Sequence, residues 1–472
     1  MRIPLPAPLA ASALVPVAVA AAWAAALALG EGLGPAVYLL PLAVAGLLAA
    51  GLLAGGMALA RPWALTAMLV VVVAGLTVAF SQREEGEVGL TPQNGIKLVV
   101  WLVLAGVALL QARRIAPAFR DPLVALAGMH VGIALASTLW SLVPPYTAIN
   151  ALGLVGYLGF ACLLAARLPE RTVFRVMAGG LLALIGGGLV AGALLPDTAW
   201  LPPSHGEPSW RFQGLSGQPN VCAQQAGYLL TLAAAGRRLG HLGRPLFVAA
   251  VAVGLAAIVL SNSRTTLLAC LLAWGVIALR ERGGLAAAAL LLLPGVVLAL
   301  LAVATGQMAN IEAMLGGVTR SGSSSELLTL TGRTEIWSVV ADLIAERPLF
   351  GWGYNGTEQL ISDSVPTQFY GSHVNAHNMS LQLVLTLGVL GALPGLGFVL
   401  GLLLRMAVAP DAARDQAVLF MVVSGLSEAP IFIMPALQNL VIFYLMARDA
   451  SAAVEDVAPA RTPPRMPEGG RA

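Results

Sequence analysis

Charge is what this sequence has least of. Only 10% of its 472 residues are charged and 58% are hydrophobic, whereas about a quarter of a soluble domain is charged. With a mean hydropathy of +0.84, that deficit excludes an ordinary water-soluble globule. Also missing is the polar–apolar alternation over about ten residues that marks the strands of a membrane barrel. Cysteine is scarce. Cys162, Cys222 and Cys270 fall inside apolar runs and form no CxxC pair; they read as small core residues and imply neither a disulfide nor a metal. There is no HExxH, no internal repeat and no second domain. The net charge of +3 says little about partners by its size, and no nucleic-acid partner is expected.

Apolar runs of about 20 residues, enough to cross a bilayer as helix, recur from end to end. The fold class expected is therefore all-α, a polytopic membrane bundle of about 12–14 spans. The candidate spans are 9–30, 36–59, 62–80, 96–112, 122–140, 147–166, 176–195, 221–236, 245–261, 264–280, 285–304, 378–404, 412–428 and 432–448. The first run, Leu9 to Gly30, exceeds the roughly 7–15-residue core of a signal peptide and is read as a retained span. The loops alternate in charge. Seven of the 26 basic residues (Arg83, Lys97, Arg211, Arg264, Arg320, Arg333 and Arg347) belong to one set of loops, and the remaining nineteen to the other. Positive residues stay cytoplasmic, which places both termini in the cytoplasm and the sparse set at the outer face of the membrane.

Two loops of that sparse set are long, 196–220 and 305–377. A connection of the second length is functional or disordered, and its content argues against disorder. In TEIWSVVADLIAERP, Ile336, Trp337, Val340, Leu343 and Ile344 share one helical face, while Glu335, Ser338, Asp342 and Glu346 share the other. Pro348 ends that helix. It either lies in the interface as a roof over a cavity or packs on the spans. Residues 1–449 are read as one membrane domain that includes this loop, and 450–472, rich in Pro, Ala and charge, as a disordered cytoplasmic tail.

Three clusters on the sparse side carry chemistry. In WRFQGLSGQPN, Arg211 stands among Gly214, Gly217, Pro219 and Asn220, a turn context that lets backbone approach a ligand. In SNSRTT, Arg264 interrupts two apolar runs with almost no loop between them; an ionisable group there faces a cavity or a partner. The structural alternative for each arginine is snorkelling, or pairing with an acid such as Glu428. The long loop carries Arg333, then RPLFGWGYNG, then HVNAHN. Gly351, Gly353 and Gly356 around Trp352 and Tyr354 suggest close backbone approach with aromatic faces for sugars.

His373 and His377, at i and i+4, would make a metal pair on a helix, but no third ligand cluster accompanies them. A structural cap is the second alternative. The third is a general base, since imidazole takes a proton near neutral pH. His377 is the choice because Asn378 follows it and a rigid span begins there. No DxD-type carboxylate pair for Mg²⁺ occurs in the outer loops. A diphosphate substrate would then be met by guanidinium groups, which stay charged and grip phosphate oxygens in two-pronged fashion. Arg211 and Arg264 would stabilise a leaving diphosphate while His377 deprotonates an attacking hydroxyl from the opposite side. Such an in-line displacement inverts the anomeric carbon. No metal and no cofactor are expected. A polysaccharide flippase or other transporter is the alternative from another class, but the paired halves typical of transporters are missing.

The motifs RFQGLSGQPN, SNSRTTLLA and GRTEIW…RPLFGWGYNG…AHNMSLQLVLTLGVLG resemble the O-antigen ligase family and its relatives, the Wzy-type O-antigen and exopolysaccharide polymerases. The resemblance covers mainly residues 205–400. It implies a multi-span helical fold in a bacterial inner membrane, with a long periplasmic loop, an active site at the periplasmic face, and metal-independent transfer of an undecaprenyl-diphosphate-linked glycan donor. The acceptor it implies is lipid A-core for a ligase, or another glycan for a polymerase, with membrane lipid as surroundings. It implies the same roles for Arg211, Arg264 and His377, with Arg333, Tyr354, Asn378, His373 and Asn220 as supporting residues. Ligases of this kind usually show about twelve spans, against the fourteen runs counted here.

Overall fold

A computed structural model of the chain describes residues 61–75, 78, 92–203, 209–282, 333–364, 375–426 and 428–457. The main described helices are α1 (Pro62–Val70), α2 (Pro92–Leu110), α3 (Pro122–Ala136), α4 (Pro144–Arg167), α5 (Glu170–Leu194), α6 (Pro219–Arg238) and α7 (Arg244–Leu260). They continue with α8 (Arg264–Arg282), α9 (Arg333–Glu346), α10 (Glu358–Ser364), α11 (Met379–Val408), α12 (Ala412–Gly425) and α13 (Leu437–Val457). The strands described are a two-residue antiparallel pair, β1 (Trp200–Leu201) and β2 (Arg211–Phe212). The protein is an all-α polytopic membrane bundle.

Among the described residues, four helices are long and apolar enough to cross a bilayer: Pro122–Leu139, Pro144–Arg167, Glu170–Leu194 and Met379–Val408. A fifth is possible if Gly95–Leu110 and Ala112–Arg120, bent by 72°, count as one span. The expected runs at 9–30, 36–59 and 285–304 lie outside the described residues. Runs at 221–236, 264–280, 412–428 and 432–448 are helical over most of their length, as α6, α8, α12 and α13, and each of these carries polar or charged residues within or beside its apolar run. The last helix continues to Val457, past the boundary at 449/450 where the tail was expected to begin.

Small residues let the core helices meet. On α4, Gly156 and Gly159 face α2 so closely that a Cβ on Gly159 would stand 2.3 Å from the Ala108 Cβ. Such small-residue contacts supply the van der Waals packing that holds helices together in lipid. The three cysteines are buried and unpaired, as expected of core residues.

Charges gather at the two ends of the bundle. At one end Arg414 pairs with Asp449 (2.5 Å) and Asp415 (2.7 Å), Arg448 with Asp411 (2.8 Å), and Arg405 with Asp121 (2.7 Å). Asp121 also caps α3 through the Leu123 amide. The opposite end holds Arg211, Arg264 and Arg333. The helix α8 has Arg264 at one terminus and Arg280, paired to Asp415, near the other.

The helix α11 is broken at Gly388, whose φ is 62°. The backbone groups freed there bond to the segment after α9. Trp352 and Gly353 donate to the Leu385 and Thr386 carbonyls at 3.1 and 2.8 Å, and Val389 and Leu390 donate to Pro348 and Leu349 at 2.8 and 3.2 Å. A broken helix is tolerated at membrane depth only where protein satisfies its backbone in this way. The glycine-rich stretch RPLFGWGYNG therefore approaches the protein's own backbone: a Cβ on Gly388 would lie 2.2 Å from the Leu349 carbonyl carbon. Gly388→Ala should destabilise the folded chain by at least ~2 kcal/mol, through left-handed strain and overlap. Thermal unfolding in detergent measures this, and an unshifted midpoint would contradict the joint.

Candidate active site

The amphipathic helix expected in the long loop forms as α9. Ile336, Val340 and Leu343 are buried against Trp352, Ile361, Ala376 and Leu385, while Ser338, Asp342 and Glu346 are exposed. The Trp337 indole donates to the Ala376 carbonyl at 2.9 Å. This packing sets Arg333, at the start of α9, beside the segment that carries His377.

His377 precedes α11 and is not part of it. Its φ of 44° is left-handed, a conformation costing about 1 kcal/mol or more outside glycine. Asparagines on both sides hold it there. Asn375 Oδ1 accepts the His377 amide at 2.7 Å. Asn378 caps α11 through the Leu381 amide at 3.0 Å and donates its Nδ2 to the Leu426 carbonyl at 3.1 Å. That last bond ties the histidine segment to the turn after α12.

The turn brings in the residue at the centre of the site, Glu428. One carboxylate oxygen accepts from Arg333 Nη2 at 2.7 Å and from Asn220 Nδ2 at 3.1 Å, while the other lies 3.1 Å from His377 Nδ1. Asn220 in turn accepts from Arg211 Nη2 at 2.6 Å, and Arg211 Nε donates to the Ser261 carbonyl at 3.0 Å. Arg264 opens α8 three residues after Ser261, across a turn in which Asn262 has φ 52°. Five stretches of chain thus converge on one carboxylate and its neighbours.

Burial pushes the Glu428 carboxyl upward, but the hydrogen bonds and charges of His377 and Arg333 together outweigh it. They hold the group below the usual glutamate range. An ionised carboxylate has only acceptors, so it fixes Nδ1 of His377 as the N–H nitrogen. The lone pair of Nε2 is then the basic one, and the histidine side chain is 18% exposed.

Of the expected site residues, Arg211, Asn220, Arg333, His377 and Asn378 join this network, and Arg264 adjoins it. His373 lies outside the described residues. Tyr354 sits in a different joint: it is 1% exposed, its amide bonds Ser137 Oγ and its carbonyl accepts from Thr147. Its ring and Trp352 are core, not open faces for a sugar, because their loop fills the break in α11. Residues 375–378 are not helical, so the i, i+4 geometry that a histidine metal pair requires is not formed at His377. Glu428 was weighed from sequence only as a partner for an arginine. The signal that marks it is an acid beside Pro430, at the end of an apolar run on the sparse-charge side.

Residues 249–394 match the family model described as O-antigen ligase. The chain carries an O-antigen ligase family domain. No curated protein matches the sequence. The O-antigen ligase match spans Arg264, Arg333 and His377, while Arg211, Asn220 and Glu428 come from flanking sequence and complete the network. Enzymes of this family are membrane glycosyltransferases of ligase or polymerase type.

Proposed function

We propose that the chain transfers a glycan en bloc from undecaprenyl diphosphate to an acceptor sugar hydroxyl at the periplasmic face, and that the acceptor is lipid A-core. The observation that carries this reading is Glu428 bridging Arg333 and His377 at 2.7 and 3.1 Å, with Arg211 one residue removed.

In the reaction, the acceptor oxygen attacks the anomeric carbon of the donor sugar and forms the new glycosidic bond. The bond to the diphosphate breaks on the opposite face, its electron pair leaves on the diphosphate oxygen, and the configuration inverts. His377 Nε2 takes the hydroxyl proton, and the imidazolium that results faces the Glu428 carboxylate. Such a base contributes about 10²–10⁴-fold. Arg211 and Arg264 meet the charge that grows on the diphosphate, with Arg333 beside them. Preorganised cations of this kind stabilise the transition state by a few kcal/mol each. Arg211 is suited to this because its bonds to Ser261 and Asn220 fix its fork before substrate arrives.

A Wzy-type polymerase would use the same groups with a second lipid-linked glycan as acceptor. The test is reconstitution of the purified full chain with an undecaprenyl-diphosphate glycan and either lipid A-core or a second lipid-linked glycan. Product on lipid A-core, with inverted configuration and undiminished in EDTA, supports the reading. Product only on the lipid-linked glycan makes the chain a polymerase. Transport of the glycan without any new bond overturns the enzyme reading in favour of a flippase.

A further inference from the structure

At the far end of α9 from Arg333, a groove of about 480 Å³ is lined by Trp140, Arg347, Pro348, Leu349, Phe350 and Gly351. Its walls are apolar. Trp140 meets Phe350 edge-on at 5.6 Å and donates its indole N–H to the Phe350 carbonyl at 2.9 Å. Leu349 and Phe350 are more than half exposed. The membrane-spanning helices alongside turn apolar residues outward as well, Leu139 at 88% and Leu393 at 60% exposure. The groove therefore opens on the lipid side of the bundle, where tryptophan marks the bilayer boundary.

Arg347 stands at the rim, its guanidinium 4.1 Å over the Trp352 ring. Trp352 is itself pinned by its indole bond to the Leu343 carbonyl at 2.9 Å, so the cation is held in place. A fixed cation above a greasy slot is complementary to an anionic amphiphile, not to a neutral chain. From Arg347 the helix α9 runs about 20 Å to Arg333 and the Glu428–His377 pair, at 1.5 Å per residue. Its outward face carries Ser338, Asp342 and Glu346. Those carboxylates would repel a phosphate along the way, but they accept hydrogen bonds from sugar hydroxyls.

We infer that this groove seats the anchor of the acceptor: an anionic glycolipid with one acyl chain against Trp140 and Phe350, a phosphate on Arg347, and its glycan laid along α9 toward His377. This rests on the transfer reading above and adds to it a second contact point, which selects acceptors by phosphate and by glycan reach. An acceptor whose glycan is shorter than α9 would bind without bringing a hydroxyl to the base.

The test uses the full chain in nanodiscs of zwitterionic phospholipid, with a phosphorylated acceptor glycolipid carrying a photoactivatable acyl chain. Labelling should map to Trp140, Leu349 or Phe350 and fall about tenfold in Arg347→Glu, the loss of one charge-assisted contact. Arg347→Gln, a milder change, should fall in the same direction. In steady state, Arg347→Glu should raise the acceptor KM about tenfold and leave kcat and the donor KM unchanged. It should leave the KM of a dephosphorylated acceptor unchanged as well. Labelling elsewhere, full displacement by an equal amount of phosphatidylglycerol, or a rise in the donor KM instead would overturn the inference. If the wild type labels in the groove but transfers nothing, the anchor site stands and the glycosyltransferase reading alone fails.

Discussion

His377→Asn is expected to lower the kcat of transfer by about 10²–10⁴-fold, while the protein still inserts and unfolds at nearly the wild-type temperature. Asparagine is the informative replacement because it tolerates the left-handed backbone that His377 adopts. Alanine at the same position would mix a lost base with added strain. The rate is read with saturating donor and acceptor, so that binding does not enter. Full activity in His377→Asn removes the general base from the account, and a loss confined to KM would make the histidine a binding group.

Glu428→Ala carries the second large effect, and it falls on both stability and rate. It leaves Arg333 and His377 facing each other across a largely buried gap, and removing one partner of such a pair costs about 3–5 kcal/mol. Glu428→Gln keeps the shape and separates the two effects. The folded chain holds this carboxyl below the ordinary glutamate range. Its ionised form therefore stabilises the fold through the neutral range, and that contribution fades only as the pH falls below the range of a free glutamate and through the depressed folded value. Wild type and Glu428→Gln should thus differ most near neutrality and converge in acid. Unfolding midpoints measured against pH check this, and a gap that widens in acid contradicts it.

How much of this was legible beforehand depends on the range of the interactions. The helix α9 could be read because its apolar residues repeat locally, and Pro348 marks its end in the same stretch. The cap at Asn378 is local too, and it places His377 just before α11. The segregation of Arg211, Arg264 and Arg333 from Arg405, Arg414 and Arg448 followed from loop charge alone. Glu428 was not legible as a centre. Its partners lie 51 and 95 positions away, and nothing in its own neighbourhood specifies which cations will meet it. The glycines of RPLFGWGYNG signalled a close approach correctly, but the approaching groups are distant residues of the chain itself: the Thr386–Gly388 backbone at Gly351, and Ser141 at Gly353 and Gly356. A short pattern announces that backbone will come near; only the tertiary fold says whose. The runs under α6, α8, α12 and α13 are helical, but the polar residues they bring to the site and to the ion pairs at the opposite end break their apolar length.

The most direct measurement of the central claim is a double-mutant cycle on transfer rate between His377→Asn and Glu428→Gln. If Glu428 acts by orienting His377 and holding its proton on Nδ1, the double variant should be hardly slower than His377→Asn alone, because residues that work as one unit lose their function together. Rate losses that simply multiply would show that the two side chains act independently, and would contradict the account.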